Sequence, residues 1–419
     1  MTEAAARTAG SRAGRKRRAI LFLVAAQVFA MSLWFSAAAV IPALAAETDL
    51  SGQQAALLTS AVSAGFVAGT LMSAVLGLAD RLDPRRFFAA ATLMAVTANL
   101  GLLVLPPDGW AAPLSRGVVG VATAGIYPVG MRLAASWASV DSRGRADTGL
   151  LVGLLVGALT LGAATPYLID IAGGVDWRPT LLLGSGLAAL GGSAILAVPL
   201  GPAFAKAPRF HPRDALAGYR DPALRLANLG YLGHMWELYA MWAWIGAFFA
   251  SSFAAAPGGP QAALWAKIAT FSVIAAGAAG SLLAGWAADR VGRCAMTMIA
   301  MGISGLCAAT MGFLWGGPPW LLLAVGLMWG VSVIADSAQF SAGLIELAPQ
   351  HLTGTVLTMQ TSLGFLLTMA TIQMVPLIRD GGGWGPAFAF LAIGPGLGVA
   401  AMARLRQRPE AQRMAGGRR

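Results

Sequence analysis

The sequence predicts an all-α membrane protein of twelve transmembrane helices in two pseudo-symmetric six-helix halves. Composition is the first reason. Of 419 residues, 57% are hydrophobic and 11% charged, and the mean hydropathy is +0.68. Soluble domains carry about 25% charged residues. A chain this apolar needs lipid as its solvent. Its 53 glycines fit that setting, because small residues let helix backbones approach closely in a membrane. Spacing is the second reason: six apolar runs of spanning length, a polar break, and six more. Repetition is the third, since landmarks of the first half recur 207 to 210 residues later.

The runs lie near 19–45, 55–78, 87–106, 112–135, 148–170 and 178–200, then near 224–250, 263–287, 295–315, 320–344, 355–378 and 386–403. Short links carry turn formers, Pro106-Pro107-Asp108-Gly109, Pro257-Gly258-Gly259-Pro260 and Gly381-Gly382-Gly383. Trp110, Trp177, Trp320 and Trp384 sit near span ends, as an interfacial belt requires. The division expected is a tail over 1–18, a half over 19–200, a linker over 201–223, a half over 224–403 and a tail over 404–419. The linker holds Pro202, Pro208, Pro212, Pro222 and several basic residues, and should lie on the inner leaflet. The N-terminus imitates a secretory signal, with Ala43-Leu44-Ala45 as a cleavage-like site. The run from Ala19 to Ala46 is much longer than the ~7–15 residue core of such a signal, and reads as a retained first span.

A net charge of +11 raises the question of nucleic acid. Position answers it. Basic residues cluster at Arg12, Arg15, Lys16, Arg17 and Arg18, at Arg81, Arg85 and Arg86, between Lys206 and Arg225, and from Arg404 to Arg419. All four clusters fall on one side once the spans are counted, which places both termini in the cytoplasm and the chain in a bacterial inner membrane. The expected partners are the lipid bilayer, a small-molecule substrate and protons, with no nucleic acid and a monomeric state. Cys294 and Cys307 lie on one helix, thirteen residues apart. That is roughly 20 Å, beyond the ~7 Å reach of a disulfide.

The halves repeat in detail. Asp80-Arg81 recurs as Asp289-Arg290, Gly144 and Pro166 as Gly354 and Pro376, and Trp177-Arg178-Pro179 as Trp384-Gly385-Pro386. Parallel repeats place a substrate site at their interface near mid-membrane. The segment Gly285-Trp286-Ala287-Ala288-Asp289-Arg290-Val291-Gly292-Arg293 resembles the signature loop of the major facilitator superfamily, G-x-x-x-D-R-x-G-R, and sits between the second and third helices of its half. The first-half copy, Gly77 to Arg86, departs from it: the glycine is one place late, Asp83 replaces the inner glycine, and the arginines slip by one. Asp83-Pro84 there reads as an N-cap followed by proline at the first helical position. The resemblance covers the whole chain in architecture and implies the MFS fold. It also implies that Asp80, Arg81, Asp289, Arg290, Gly292 and Arg293 form gating loops. Asp80 would dock at the start of the span after Gly354, and Asp289 at the start of the span after Gly144. A carboxylate beside a helix N-terminus is favoured by about 0.3–1 kcal/mol.

The same resemblance sets helices one, four, seven and ten around a central cavity. Glu237 falls near the middle of the seventh span. Intramembrane acids are costly and mark functional sites by default. His234 lies one turn away, and Gly230, Met241 and Trp244 complete the stripe. Two readings stay open, a proton site or a Glu–His pair holding two helices together. Ser332, Asp336 and Gln339 form a polar stripe on the tenth span. Arg116, followed by Gly120 and Gly125, matches a family feature of the fourth helix, and Thr123 and Tyr127 share its face. It faces the cavity or snorkels to the interface. The proton-coupling candidates are thus Glu237, Asp336 and His234. The cavity candidates are Gln27, Trp34, Arg116, Tyr127, Met241, Trp244, Gln339 and Lys267, the last also able to snorkel.

The fifth span carries Gly153, Gly157, Gly162 and Pro166 but lacks the Gly-Pro pair of the family's drug exporters. The second span lacks the arginine of its nitrate transporters. No P-loop exists, since none of the three lysines follows a glycine. His211, His234 and His351 are scattered, no Cys or His pair has zinc spacing, and no G-x-S-x-G elbow occurs. No cofactor, metal or catalytic residue is expected. The reading is a proton-coupled carrier of a small organic solute, with antiport favoured by the embedded acids. Symport of an organic anion would be favoured by Arg116 and Lys267. A polytopic receptor or membrane enzyme is the alternative outside transport.

Overall fold

The computed structural model describes residues 3–139, 148–173, 176–204, 210–255 and 261–418. Among them, twelve helices are long and apolar enough to cross a membrane. In chain order they are α1 (Gly14–Glu47), α2 (Gly52–Leu76), α3 (Pro84–Leu103), α4 (Ala111–Ala135), α5 (Leu150–Ile171) and α6 (Arg178–Ala197). Then come α7 (Pro222–Ala255), α8 (Ala262–Val291), α9 (Arg293–Leu314), α10 (Pro319–Leu347), α11 (Thr353–Gly382) and α12 (Trp384–Arg406). Each overlaps one apolar run; most begin a few residues before it, because caps and first turns are polar, while α2, α3 and α6 stop two or three residues short of its end. Gly144, residues 257–260 and part of the linker lie outside the described residues.

Local chemistry explains the ends. Ser51 and Gln54 make a reciprocal capping box at the start of α2, with bonds of 3.2 and 2.8 Å. Asp83 caps α3 through the backbone N–H groups of Arg85 and Arg86, and Pro84 follows it at the first helical position. This is the arrangement read from the sequence. The Arg85 guanidinium bonded to Asp83 holds that carboxyl down at about 2. Gly292 separates α8 from α9 at φ +92°, in the left-handed region that glycine alone enters freely.

The two sets of six pack alike. α2 lies against α4 and α8 against α10, α1 against α6 and α7 against α12. Gly120 on α4 and Gly330 on α10, 210 residues apart, play the same part. A Cβ at either would collide with a main-chain carbonyl of the neighbouring helix, that of Val62 or of Val273. The sets meet along two seams, α5 with α8 and α2 with α11. One end of the bundle carries the Gly77–Asp83 and Gly292 loops and the described linker residues, 201–204 and 210–221, and is called the basic end below.

Four helices are interrupted, α12 among them at Ala392. α1 breaks between Met31 and Ser36, α4 between Thr123 and Tyr127, and α10 at Asp336. α7 runs unbroken. Non-helical backbone at membrane depth frees carbonyls and amides that lipid cannot satisfy, so it persists only where protein or water answers it.

Candidate functional site

The break in α1 is answered by Arg116. This guanidinium is wholly buried. It donates to the carbonyls of Leu33 at 2.9 Å and Trp34 at 2.7 Å, to Asn99 Oδ1 at 2.7 Å, to Ser36 Oγ at 3.2 Å and to Leu58 O at 3.4 Å. Asn99 in turn donates to Ser185 Oγ on α6 at 3.1 Å. Arg116 therefore neither snorkels to an interface nor lines a cavity between the halves. Its planar fork matches several acceptors at once, and those acceptors exist because α1 is broken.

The interruption turns Trp34 and Phe35 toward the other half. Trp34 ring centroids lie 5.2 Å from Phe66 on α2, 5.6 Å from Tyr239 on α7 and 5.2 Å from Phe365 on α11. Phe35 meets Trp242 edge-on at 5.7 Å. These rings form an aromatic plug joining both sets of helices at the middle of the bundle. Tyr127, half-buried at the break in α4, lies within electrostatic reach of the Tyr231 and Tyr239 hydroxyls opposite. Gln27 is fully buried against Gly130 of α4, and neither amide atom finds a partner among the described residues.

The α7 stripe faces the other way from its expected direction. Tyr239 and Trp242 meet the first half, and a two-residue step turns a helix by ~200°. Glu237 accordingly points into the second half. Ser304 Oγ on α9 donates to its Oε2 at 2.8 Å, and Trp329 Nε1 on α10 donates to its Oε1 at 2.7 Å. His234 does not pair with Glu237. Its Nδ1 lies 2.8 Å from Asp336 Oδ1 at the break in α10. Both side chains are 1% exposed, and the His234 Nε2 is without a partner among the described residues. Phe340 and Tyr231 flank the imidazole, with centroids at 5.7 and 6.0 Å. Met241 is fully buried. Trp244 donates to Ile372 O on α11 at 3.0 Å, inside its own half.

Gln339 is displaced from the expected cavity in another sense, because it serves the signature loop. Arg293 donates to Gln339 Oε1 at 2.7 Å and to both Glu346 oxygens at 2.7 and 2.6 Å. The C-terminal segment closes on the same place: Ala415 N–H bonds Glu346 at 3.1 Å, and Arg418 donates to the Asp289 carbonyl. Asp289 itself is exposed, and its expected docking partner beyond Gly144 lies outside the described residues. Arg290 folds over the Trp286 ring at 3.6 Å. Arg81 is exposed, and the Asp80 side chain lies outside the described residues.

Lys267 joins the halves. Its Nζ lies 2.9 Å from Asp170 Oδ2 at the end of α5. On the other seam Gln373 Nε2 donates to Ser60 Oγ at 2.9 Å, Gln53 Nε2 to Gln373 O at 3.2 Å, and Thr368 to Ser63 at 3.0 Å. These bonds lie in the half of the bundle away from the basic end. Nearer the basic end, Ser281 donates to Gly153 O at a longer 3.5 Å.

Sequence reasoning missed Asp170, Phe66, Phe365, Tyr239 and Gln373 as seam residues. Asp170 stood at the last position of an apolar run and passed for a boundary. The aromatic residues carried no signal distinguishing a plug from ordinary packing. Among the described residues, no group of three or more His, Cys, Asp or Glu could hold a metal ion.

The family model described as Major Facilitator Superfamily matches residues 23–371. The chain is 28% identical over 175 residues to an uncharacterized transporter, YgaY, of Escherichia coli O157:H7, and equally to its counterpart in strain K12. That match spans 41% of this chain and 42% of the relative's length. A crystal structure of a mutant of the nucleoside transporter NupG superposes with a TM-score of 0.68 at 16% identity, covering 92% of this chain and 98% of the other. With twelve helices, paired seams and a signature loop already in place, the match across 23–371 settles membership: the chain belongs to the Major Facilitator Superfamily.

Proposed function

We propose that the protein is a secondary transporter that carries a small organic solute by alternating access, coupled to protons, with antiport favoured. In this reading it lies in a bacterial inner membrane as a monomer, with the basic end, both termini and the linker in the cytoplasm. The observation that carries the reading is the construction of the seams. Among the described residues, the halves are held together by side chains, with the polar and ionic bonds gathered away from the basic end. Such contacts can part without unravelling a helix, and the aromatic plug marks the level at which passage would be blocked. The domain division 1–18, 19–200, 201–223, 224–403 and 404–419 belongs to this proposal, with the halves as the moving bodies.

The proton site we favour is the His234–Asp336 pair. The imidazole nitrogen and the carboxylate oxygen are buried 2.8 Å apart without an aligned hydrogen bond, a separation a proton can cross once the two are turned toward each other, and the break in α10 lets the carboxylate move with the helix. Glu237 is the second candidate, held by two hydrogen bonds within its own half. The cations that would have favoured an organic anion, Arg116 and Lys267, are both engaged within the protein. A neutral or cationic solute fits better, and nucleosides belong in the screen because the NupG structure shares the fold. Candidate solutes are first identified by thermal shift of the purified protein. Asp336→Asn should then retain solute–solute exchange in proteoliposomes and lose accumulation driven by a pH gradient. Glu237→Gln should retain both. If Asp336→Asn still concentrates solute while Glu237→Gln cannot, the coupling acid is Glu237.

A further inference from the structure

We propose that Asp170 and Lys267 form an electrostatic latch that holds the seam shut at the end away from the basic loops. It would be the charged counterpart of the hydrogen bond that the Gln373 amide donates to Ser60 on the other seam. The inference rests on the alternating-access reading above.

The two residues belong to different halves. Asp170 sits in the last turn of α5 and Lys267 in the second turn of α8. The ammonium lies 2.9 Å from the carboxylate and also donates to the Asp170 carbonyl at 3.2 Å. Thr180 Oγ1 on α6 donates to the same carboxylate from behind at 3.4 Å. The acid is thus fixed by its own half, and its counter-ion arrives from the other. The Asp170 side chain is 5% exposed and that of Lys267 27%, so the acid is buried while the end is closed and the base is only half-buried.

The repeat gives the comparison. α5 corresponds to α11 and α8 to α2, so the α5–α8 seam corresponds to the α11–α2 seam. Asp380 stands 210 residues after Asp170, but it is bound by Arg379 of its own helix at 2.7 Å. On that seam the crossing bonds are instead those of Gln373 to Ser60 and of Gln53 to the Gln373 carbonyl. One seam is therefore bridged by an ion pair and the other by neutral amides, beside an Arg379–Asp380 pair of α11 that packs on Gly52 of α2, at the same end of the bundle.

The chemistry favours a latch over passive packing. An ion pair between separable bodies is lost when they part, and both groups then regain water. Removing the ammonium leaves the buried Asp170 carboxylate without its cation in the closed form, and removing the carboxylate takes away the attraction that draws Lys267 across the seam. Opening hydrates the survivor, so a single neutralisation should favour the open form.

The test uses the full chain in lipid nanodiscs, with Cys294→Ala and Cys307→Ala as the parent. Spin labels are placed at Asp108→Cys on the α3–α4 link and Pro318→Cys on the α9–α10 link, and their separation is read by double electron–electron resonance. Asp170→Asn, nearly isosteric, and Lys267→Met should each raise the ratio of long to short separations about tenfold, or about 1.4 kcal/mol. The double exchange Asp170→Lys with Lys267→Asp should bring it back toward the parent. Gln373→Ala reports on the other seam. If Gln373→Ala opens the end and the two neutralised variants do not, the latch is wrong while the rocking of halves stands. If none of the three changes the distances, both fail. A charge exchange as open as the single variants makes the pair a packing element only.

Discussion

Replacing Arg116 by methionine keeps the apolar stem and removes five donated hydrogen bonds. The consequences differ among the acceptors. Ser36 has one hydroxyl proton, within reach of Asn99 Oδ1 at 2.6 Å or of Leu33 O at 3.0 Å, so only one of those two acceptors keeps a donor. The Trp34 carbonyl is left bare, because the break in α1 has removed its helical amide. A buried unsatisfied polar group costs about 1–3 kcal/mol. Weaker bonding at Leu33 and Leu58 adds to this, and relief of a buried cation without a carboxylate partner opposes it. The net loss expected is about 1–3 kcal/mol, centred on the α1 break. Arg116→Lys should recover part of it, since an ammonium has three donors but no planar fork. Thermal unfolding in one micelle, with amide exchange of residues 31–40 by mass spectrometry, reads both the loss and its place. An Arg116→Met protein as stable as the parent, with unchanged exchange over that segment, would refute the role assigned to the guanidinium.

Cysteines at Asp214 and Asp108, both exposed, should divide by side: an impermeant thiol reagent applied to intact cells should label 108 and spare 214, and the reverse pattern would invert the topology. Gly292→Ala should destabilise the α8–α9 loop by about 1–3 kcal/mol, because its φ of +92° strains any L side chain; an unaltered melting temperature would show that the loop relaxes freely. Asp83→Ala should cost about 0.5–2 kcal/mol through loss of the α3 cap. The sign of its pH dependence follows from a carboxyl held at about 2 rather than 3.8: the stabilisation is complete above the ordinary value and disappears as pH falls through about 2. Melting curves that separate the variant from the parent equally at pH 1.5 and pH 6 would contradict it.

The fold was legible because lipid imposes a simple rule on sequence. Runs such as 55–78 and 295–315 had to be helices, and near-constant offsets tied Asp80 to Asp289 and Pro166 to Pro376. The α3 cap was legible too, since Asp83-Pro84 has a local mechanism. What could not be read was which way a helix faces. α7 is buried on nearly all sides, so no polar stripe marks the side toward the other half; the sequence sets Glu237 and His234 toward the cavity, and the structure packs them against α9 and α10. The break in α1 was equally silent, since Ser32, Leu33, Trp34 and Phe35 include no proline or glycine. Its signature was the buried Arg116 eighty residues away, which acquires meaning only once α4 packs beside α1. The sequence leaves Lys267 between two readings because its partner Asp170 sits on a helix that tertiary contact alone brings near.

Transport driven by a proton gradient is measured most directly in proteoliposomes containing only this protein and a solute taken from the thermal-shift screen. Vesicles with an imposed pH difference across the membrane should accumulate the labelled solute above equilibrium, and a protonophore should abolish the accumulation while leaving exchange at equal concentrations intact. Solute that merely equilibrates, at the same rate with and without the pH difference, would contradict proton-coupled carriage and leave at most a facilitated pathway.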